Sequence, residues 1–333
     1  MQPRVSILIP VYNREKLVKR AIESALSQTY KNIEIIIVDN KSNDNTWEVL
    51  KEYAGKDKRI KIFQNERNLG PVLNWKKCLE FSTGEYVKFI FSDDWIENNF
   101  IEKTFLYLEN NEVAFAYTPA LIIDENGNEN LAYKRYTIDT IFDSKQFLEG
   151  SIFSTNFPVS PGCAIFRKKD VEKNLIVDVP NKDNLDFKKF GAGNDLLIYL
   201  LTANEYQKVA FVNSTKAYFM AHKGSFTCSS DLSLYYTWAK LYFLDLIKDE
   251  KVKALYKAKR IRKDLNVNVK SILKSKLLGR KLSNSILFTI PFYYRMISVF
   301  LPNKAIIFLW KLKRFLTGKK FSIPEFGDEQ DVK

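Results

Sequence analysis

The residues best suited to chemistry in this 333-residue chain are polar side chains that follow short apolar runs. Tyr12 and Asn13 follow one run, Asp39 a second, and Asp93 and Asp94 a third. An aromatic face beside a carboxylate suits a nucleobase with an N–H donor, and paired carboxylates suit a hard divalent cation that holds phosphates. The chain contains neither a GxGxxG nor a Walker sequence, so a nucleotide bound here would need a metal to neutralise its phosphates.

The apolar runs alternate with helical patterns at the spacing expected of βαβ units. Ligands of doubly wound sheets bind beyond the carboxyl ends of parallel strands, so the polar residues are expected to meet at one rim. The predicted strands are Val5–Val11, Ile33–Val38, Ile60–Phe63, Tyr86–Phe91 and Ala114–Ile123. The predicted helices are Lys16–Gln28, Asn43–Tyr53, Pro71–Phe81, Asn98–Leu108 and Leu232–Ile247. A solvated basic loop is predicted at Arg167-Lys168-Lys169, with binding of an acceptor phosphate as the alternative.

Four motifs occur in order within residues 5–95: Val5–Asn13, Ile36–Thr46, Gly84-Glu85-Tyr86 and Ser92-Asp93-Asp94-Trp95. Together they resemble the family 2 glycosyltransferases of GT-A fold. The resemblance implies an α/β fold with a Rossmann-like mixed sheet, followed here by a C-terminal helical region. It also implies inverting transfer of a sugar from a nucleotide-sugar donor, with a divalent metal, Mn²⁺ or Mg²⁺, as cofactor.

The resemblance assigns roles to individual residues. Asp39 would accept the N–H of a uracil or thymine, and Asp93 would ligate the metal. His222, in a segment similar to the family's His-x-x-Ser, would supply a nitrogen to the metal or a hydrogen bond to phosphate. Phe91 and Trp75 lie where the family has an aspartate and an arginine. The implied donor-binding residues are Pro10, Val11, Tyr12, Asp39, Asn68, Gly70, Ser92 and Asp94.

Gly193-Asn194-Asp195, before the apolar run Leu196–Leu201, resembles the family's Glu-Asp at the start of a helix. The resemblance implies that Asp195 is the general base that takes a proton from the acceptor hydroxyl. Simpler interpretations stay open at this point. Asp195, Asp39 and the Asp93–Asp94 pair could each cap a helix, His222 could be structural, and Tyr12 and Trp95 could be core aromatic residues.

The net charge of +13 is concentrated in the last third of the chain. Residues 231–333 carry 22 basic and 9 acidic residues, and this difference of 13 equals the whole excess. The longest uncharged run there, Leu282–Tyr294, is shorter than the ~20 residues that span a bilayer. We therefore predict a GT-A catalytic domain at 1–230 and a basic amphipathic helical tail at 231–333 that binds an anionic membrane surface. The alternative is a helical lid packed on the catalytic domain.

Composition also indicates the cellular compartment in which the protein works. Three widely spaced cysteines exclude a disulfide framework and fit a reducing cytosol, and the N-terminus lacks the pattern of a signal peptide. A peripheral protein at the cytoplasmic face of the cell membrane is predicted. It would use a UDP- or dTDP-sugar and a glycan or polyprenyl-linked acceptor in cell-surface polysaccharide (O-antigen or capsule) synthesis.

Two alternative functions are weaker. A nucleotidyltransferase would want a glycine-rich, Arg/Lys-containing signature near the first strand, and that signature is absent. A nucleic-acid-binding protein is suggested only by the pI of about 9.3, without a binding motif, so no nucleic acid partner is predicted.

Overall fold

A computed structural model describes residues 2–153, 156–225, 231–247 and 253. Within these ranges an 8-stranded mixed sheet forms the centre of the fold, and a 4-stranded sheet lies beside it. The strands are β1 Val5–Val11, β2 Ile33–Asp39, β3 Ile60–Gln64, β4 Tyr86–Phe89, β5 Trp95–Ile96, β6 Val113–Tyr117, β7 Ala120–Asp124, β8 Glu129–Ala132, β9 Thr140–Asp143, β10 Ala164–Arg167, β11 Lys208–Phe211 and β12 Ala217–Ala221.

The helices that the structure describes connect and cover these strands. They are α1 Val18–Leu26, α2 Thr46–Lys56, α3 Pro71–Phe81, α4 Phe100–Phe105, α5 Ser144–Phe153, α6 Lys168–Asn174, α7 Asn194–Glu205 and α8 Ser233–Leu246. Among the described residues, none of the helices has both the length and the apolar character needed to cross a bilayer.

The large sheet has the order β3-β2-β1-β4-β10-β6-β11-β9. Its first half is parallel, with β1 between β2 and β4, and Val11 lies opposite Asp39 in the register of β1 and β2. Every residue of β1 and β2 is buried, as expected for central parallel strands covered on both faces. The parallel register brings the carboxyl ends of β1, β2 and β4 to one rim.

The predicted strand Ala114–Ile123 is wrong as a single element. The chain leaves the large sheet after Tyr117 and enters the small sheet at Ala120. Between them, the Thr118 amide donates to the Cys163 carbonyl, and Pro119 has no N–H to continue a strand ladder. The split places β7 beside β12, which leads to His222.

The predicted basic loop at 167–169 is also wrong. Arg167 ends β10 with only 6% of its surface exposed, and Lys168 begins α6. The Arg167 guanidinium donates to the carbonyl oxygens of Leu108, Asn110 and Val113, at 2.7, 3.1 and 2.6 Å. The guanidinium N–H groups and these three buried carbonyl groups satisfy each other's need for hydrogen bonds. This explains why a charged residue lies inside the fold.

The first helix after the predicted domain boundary at 230 packs on α7. In α8, Ala239, Phe243 and Leu244 are almost fully buried, and Tyr235 packs edge-on against Phe187. This helix has the packing expected of the lid alternative. Beyond residue 247 only Lys253 of the predicted tail is among the described residues, and the domain boundary stays a prediction.

Candidate active site

A cavity of about 590 Å³ opens beyond the carboxyl ends of β1, β2 and β4. The convergence expected at this rim is present, because residues that follow all three strands line the cavity. Tyr12 lines this cavity with 36% of the residue exposed, so Tyr12 is not a core aromatic. The predicted site residues that line this cavity are Pro10, Val11, Tyr12, Asn68, Gly70, Ser92 and Asp93.

Asp39 does not line the cavity. Its side chain is fully buried, and its oxygens accept hydrogen bonds from the Ser42 amide and hydroxyl and, at 2.8 Å, from Gln64 Nε2. Asp39 is also not a helix cap, because α2 begins later, at Thr46. In this arrangement the Asp39 carboxylate organises the loop after β2, and its predicted contact with a base stays a prediction.

Asn40 is a cavity residue that sequence reasoning missed. Its Nδ2 donates to Asn68 Oδ1 at 2.8 Å and to the Gly70 carbonyl at 3.2 Å, while its Oδ1 accepts from the Leu69 amide at 2.9 Å. Gly70 has a φ of +82°, a left-handed conformation that favours glycine. The only sequence signal was the position of Asn40 directly after Asp39, at the end of the strand.

Asp93 lines the cavity, and it is in contact with His222, which is not among the residues that line either this cavity or the one described below. His222 Nε2 is 2.9 Å from Asp93 Oδ2, although the residues are 129 positions apart. The Gly224 amide donates to His222 Nδ1 at 3.1 Å, so in this arrangement Nε2 carries the hydrogen and donates it to Asp93. Arg14 Nε is 3.9 Å from the same carboxylate, and Arg20 donates to the Asp93 carbonyl.

The two adjacent aspartates have different surroundings. Asp94 Oδ1 accepts from the Met220 amide at 3.1 Å, and burial, followed by the charge of Asp93, raises the pKa of Asp94. Neither aspartate caps a helix, because the strand β5 follows them and α4 has Asn99 at its N-cap. Trp95, expected in the core, is half-buried and lies between the Arg20 guanidinium, 3.5 Å from its ring centre, and the stacked ring of Tyr218.

Asp93 and His222 meet part of the requirement for a divalent-metal site. Asp93 offers a carboxylate oxygen, and His222 offers a nitrogen once its tautomer changes and its hydrogen bond to Asp93 is released. The described residues contain no group of three or more His, Cys, Asp or Glu that could hold an ion. A metal held here would therefore need phosphate or water oxygens to complete its coordination.

A second cavity, of about 310 Å³, contains Asp195 and Asp94. It shares a wall with the first cavity, in which Trp75 packs on Phe91 with ring centroids 5.4 Å apart. Aromatic residues thus occupy the two positions where the family resemblance would place charged ones, and this packing could not be read from the sequence. The residues common to both cavities are Trp75, Phe91, Asp93, Phe190 and Ser225.

Asp195 is in the first turn of α7, whose N-cap is Gly193. Its Oδ1 accepts from the amides of Gly193 and Leu196 at 2.8 and 2.6 Å, and its Oδ2 accepts from the Tyr236 hydroxyl at 2.9 Å. Burial raises the pKa of Asp195 to about 7, although these hydrogen bonds act to lower it. One oxygen therefore holds the start of the helix, as the capping alternative required, and the other is bonded by a residue of the cavity wall.

Comparison with known proteins agrees with the fold and with the motifs. The glycosyl transferase family 2 model matches residues 6–175. An Escherichia coli UDP-Glc:alpha-D-GlcNAc-diphosphoundecaprenol beta-1,3-glucosyltransferase, WfaP, is 28% identical over 66% of this chain and 78% of its own length. An uncharacterized glycosyltransferase of Haemophilus influenzae is 34% identical over 45% of this chain, and the match spans only 59% of that protein.

The structure of TarS 1-349 from S. aureus has the same fold. It aligns with a TM-score of 0.65 at 17% identity and covers 94% of this chain and 86% of TarS 1-349. The predicted mixed-sheet GT-A fold is confirmed. Because the family model matches just over half of the chain, this protein belongs to glycosyl transferase family 2.

Proposed function

We propose that this protein is an inverting glycosyltransferase that moves a sugar from a UDP- or dTDP-sugar to a hydroxyl group of a glycan or polyprenyl-linked acceptor. The observation that carries the proposal is the pair of adjoining cavities, which share Asp93 and place the buried Asp195 in the second one. A donor in the first cavity would bring its diphosphate to Asp93. An acceptor in the second would bring its hydroxyl to Asp195.

The first cavity has the chemistry of a nucleotide site. The exposed ring of Tyr12 offers a face on which a base can stack, and the side-chain amide of Asn68, held in place by Asn40, lines the same cavity and can donate a hydrogen bond to a base. Arg14 also lines this cavity and adds a positive charge beside Asp93. Aromatic stacking and hydrogen bonds would hold the nucleoside, and the cation would face the phosphates.

A divalent ion, Mn²⁺ or Mg²⁺, would be held by Asp93 and His222 together with donor phosphates. When bound, it would neutralise the charge that develops on the leaving nucleoside diphosphate. Arg14 provides part of the same neutralisation from the protein itself.

In the transfer step, the acceptor oxygen forms a bond to the anomeric carbon while the bond from that carbon to the diphosphate oxygen breaks. The electron pair of the broken bond leaves with the nucleoside diphosphate, and the acceptor proton passes to Asp195. A pKa of about 7 suits this exchange, because the group is partly ionised at neutral pH and binds a proton readily. Attack from the side opposite the diphosphate inverts the anomeric centre.

The donor assignment is tested by thermal-shift titration of the full chain with UDP, dTDP, CDP and GDP, each with and without Mn²⁺. We expect UDP or dTDP to stabilise the protein most, and only with the metal, because Tyr12 offers a stacking face and the family resemblance implies that Asp39 accepts the N3–H of uracil or thymine. For that contact the Asp39 carboxylate, which here bonds Ser42 and Gln64, would have to turn towards the cavity. Asp93→Ala is expected to abolish the effect of the metal. Equal stabilisation by all four nucleotides, or full turnover in Asp93→Ala, would contradict this assignment.

The base assignment is tested with Asp195→Asn, which keeps side-chain volume and removes the proton acceptor. We expect normal donor binding and transfer slowed by a factor of ~10²–10⁴. The matched control is Asp170→Asn, because Asp170 is also buried and bonded to a tyrosine hydroxyl, Tyr206, at 2.8 Å, but lines neither cavity. Unchanged turnover per folded molecule in Asp195→Asn would reduce Asp195 to a helix-capping role.

The acceptor class is supported by WfaP, whose name gives a sugar linked to diphosphoundecaprenol as its acceptor. The basic tail supports action on such a lipid-linked glycan at the cytoplasmic membrane face, as in O-antigen or capsule synthesis. Each basic residue near an anionic surface contributes ~1 kcal/mol, so a few engaged residues suffice to hold the enzyme there.

Flotation of the full chain with vesicles tests this location. We expect binding to phosphatidylglycerol vesicles, weak binding to phosphatidylcholine vesicles, and partial release by high salt, since salt does not screen apolar burial. A variant with Lys311, Lys313 and Arg314 replaced by glutamine should bind less. Failure of the wild-type chain to bind anionic vesicles would refute the membrane role without affecting the donor and base assignments.

A further inference from the structure

Tyr236, on α8, makes a side-chain hydrogen bond to Asp195. Its hydroxyl donates to Oδ2 at 2.9 Å, while the two backbone amides occupy Oδ1. Tyr236 and Asp195 both line the second cavity, and both lie beyond residues 6–175, where the family model matches. We infer that the Tyr236 hydroxyl is a positioning group that orients the carboxylate oxygen of Asp195 for proton transfer, a role that rests on the proposed function of Asp195.

The packing of α8 on α7 fixes the place of Tyr236. A Cβ atom on Gly193 would lie 2.9 Å from the Tyr235 carbonyl oxygen and 3.1 Å from Ala239 Cβ, so the absence of a side chain lets α8 approach. The φ of +85° at Gly193 also favours glycine. The ring of Tyr235, the residue before Tyr236, also packs edge-on against Phe187 and Phe190. These contacts hold the backbone next to Tyr236 against the start of the helix that carries Asp195.

Among the described residues, Tyr236 is the side chain that donates a hydrogen bond to Asp195. The other ionisable groups that face it are the phenols of Tyr133 and Tyr199, whose raised pKa values come mainly from burial and in part from the charge of Asp195. Asp93 and Asp94 line the same cavity and are negative when ionised. The Tyr236 hydrogen bond therefore opposes burial by favouring the charged carboxylate.

Loss of the Tyr236 hydroxyl is expected to raise the pKa of Asp195 and to displace the pH profile of kcat, without changing the KM for the donor. The carboxylate becomes harder to form, so the pKa of Asp195 rises by about one unit, as expected for a lost hydrogen bond to a charged group. Activity requires the deprotonated base, so the acid limb of the kcat profile moves to higher pH by the same amount. The KM for the donor stays constant, because Tyr236 lines only the second cavity.

The experiment uses the full chain with Tyr236→Phe, and with Tyr206→Phe as the matched control. Tyr206 makes the same kind of bond, 2.8 Å to Asp170 Oδ2, outside both cavities. The carboxyl ¹³C signal of Asp195, identified by its loss in Asp195→Asn, is titrated in each protein. We expect its midpoint to rise by about one pH unit in Tyr236→Phe and to stay unchanged in Tyr206→Phe.

Transfer from UDP-glucose to GlcNAc-diphosphoundecaprenol, or release of UDP from UDP-glucose by water, gives the kinetic readout. We expect kcat at pH 7 to fall about fivefold in Tyr236→Phe, because a pKa raised by about one unit from 7 lowers the deprotonated fraction at pH 7 from one half to about one eleventh. If Asp195→Asn is inactive while Tyr236→Phe keeps the wild-type titration and pH profile, the positioning role is refuted and the proposed function stands. If Asp195→Asn is fully active, the proposed function itself fails.

Discussion

Asp195→Asn should make the folded protein more stable as well as less active. The carboxyl group is buried with 8% of the residue exposed, and its pKa is raised from 3.8 to about 7, with burial as the main cause. Between these values the native state holds a proton that the unfolded chain has released. The stability of the wild type therefore falls as pH rises, by ~1.36 kcal/mol per pH unit from this group, and the fall levels off above pH 7.

The cumulative cost at pH 8 is ~4 kcal/mol, as an upper figure, and asparagine removes it. The amide fits the same contacts, because its oxygen can accept from the amides of Gly193 and Leu196 and its NH₂ can donate to the Tyr236 oxygen. The variant should therefore match the wild type near pH 4 and exceed it by a few kcal/mol at pH 8.

Urea unfolding at pH 5, 6, 7 and 8 measures this difference. Glu125→Gln serves as a control, because it removes the same charge from an exposed turn and should show no such rise. An Asp195→Asn protein that is no more stable than wild type at pH 8, or a difference that does not grow with pH, would refute the claim that burial raises the pKa of Asp195 in the folded protein.

Three further predictions concern other parts of the site and its support. Burial favours the neutral form of Glu34, but hydrogen bonds led by that from Lys61 lower its pKa from 4.5 to about 2. Glu34→Gln should therefore lose up to ~3 kcal/mol in urea unfolding at pH 7, and this difference should vanish as pH falls from 4.5 towards 2. In Gly70→Ala, a Cβ 3.0 Å from the Lys188 carbonyl and a φ of +82° should cost at least ~1 kcal/mol in the same assay and weaken UDP binding. Tyr12→Ala should leave the thermal midpoint unchanged and weaken UDP binding, measured by calorimetry, about tenfold through lost stacking.

Features set by short stretches of chain were predictable. The helix Pro71–Phe81 was predicted with the bounds that the structure has, because a proline in the first turn and an apolar periodicity define it locally. The strands β1 and β2 were also predicted to within a residue, since continuous apolar runs are typical of strands buried on both faces.

Features that depend on distant partners were not predictable. Arg167 was expected in solvent, because its three carbonyl partners lie more than fifty positions earlier in the chain. The orientation of the Asp39 side chain, whose contact with a base stays a prediction, likewise depends on Gln64, which lies 25 positions later on the neighbouring strand. The identity of a residue restricts what it can bond, but the packing of separate segments selects the partner.

The sequence by itself determined the family, the alternation of strands and helices over the first three βα units and the position of Asp93 beyond the end of a strand, because each depends on local pattern and on the common direction of parallel strands. Only the tertiary structure brought His222 to Asp93 and Tyr236 to Asp195. It also decided that the pKa of Asp195 is raised to about 7, because desolvation is a collective effect of the segments that enclose a carboxylate and cannot be assigned to any one of them.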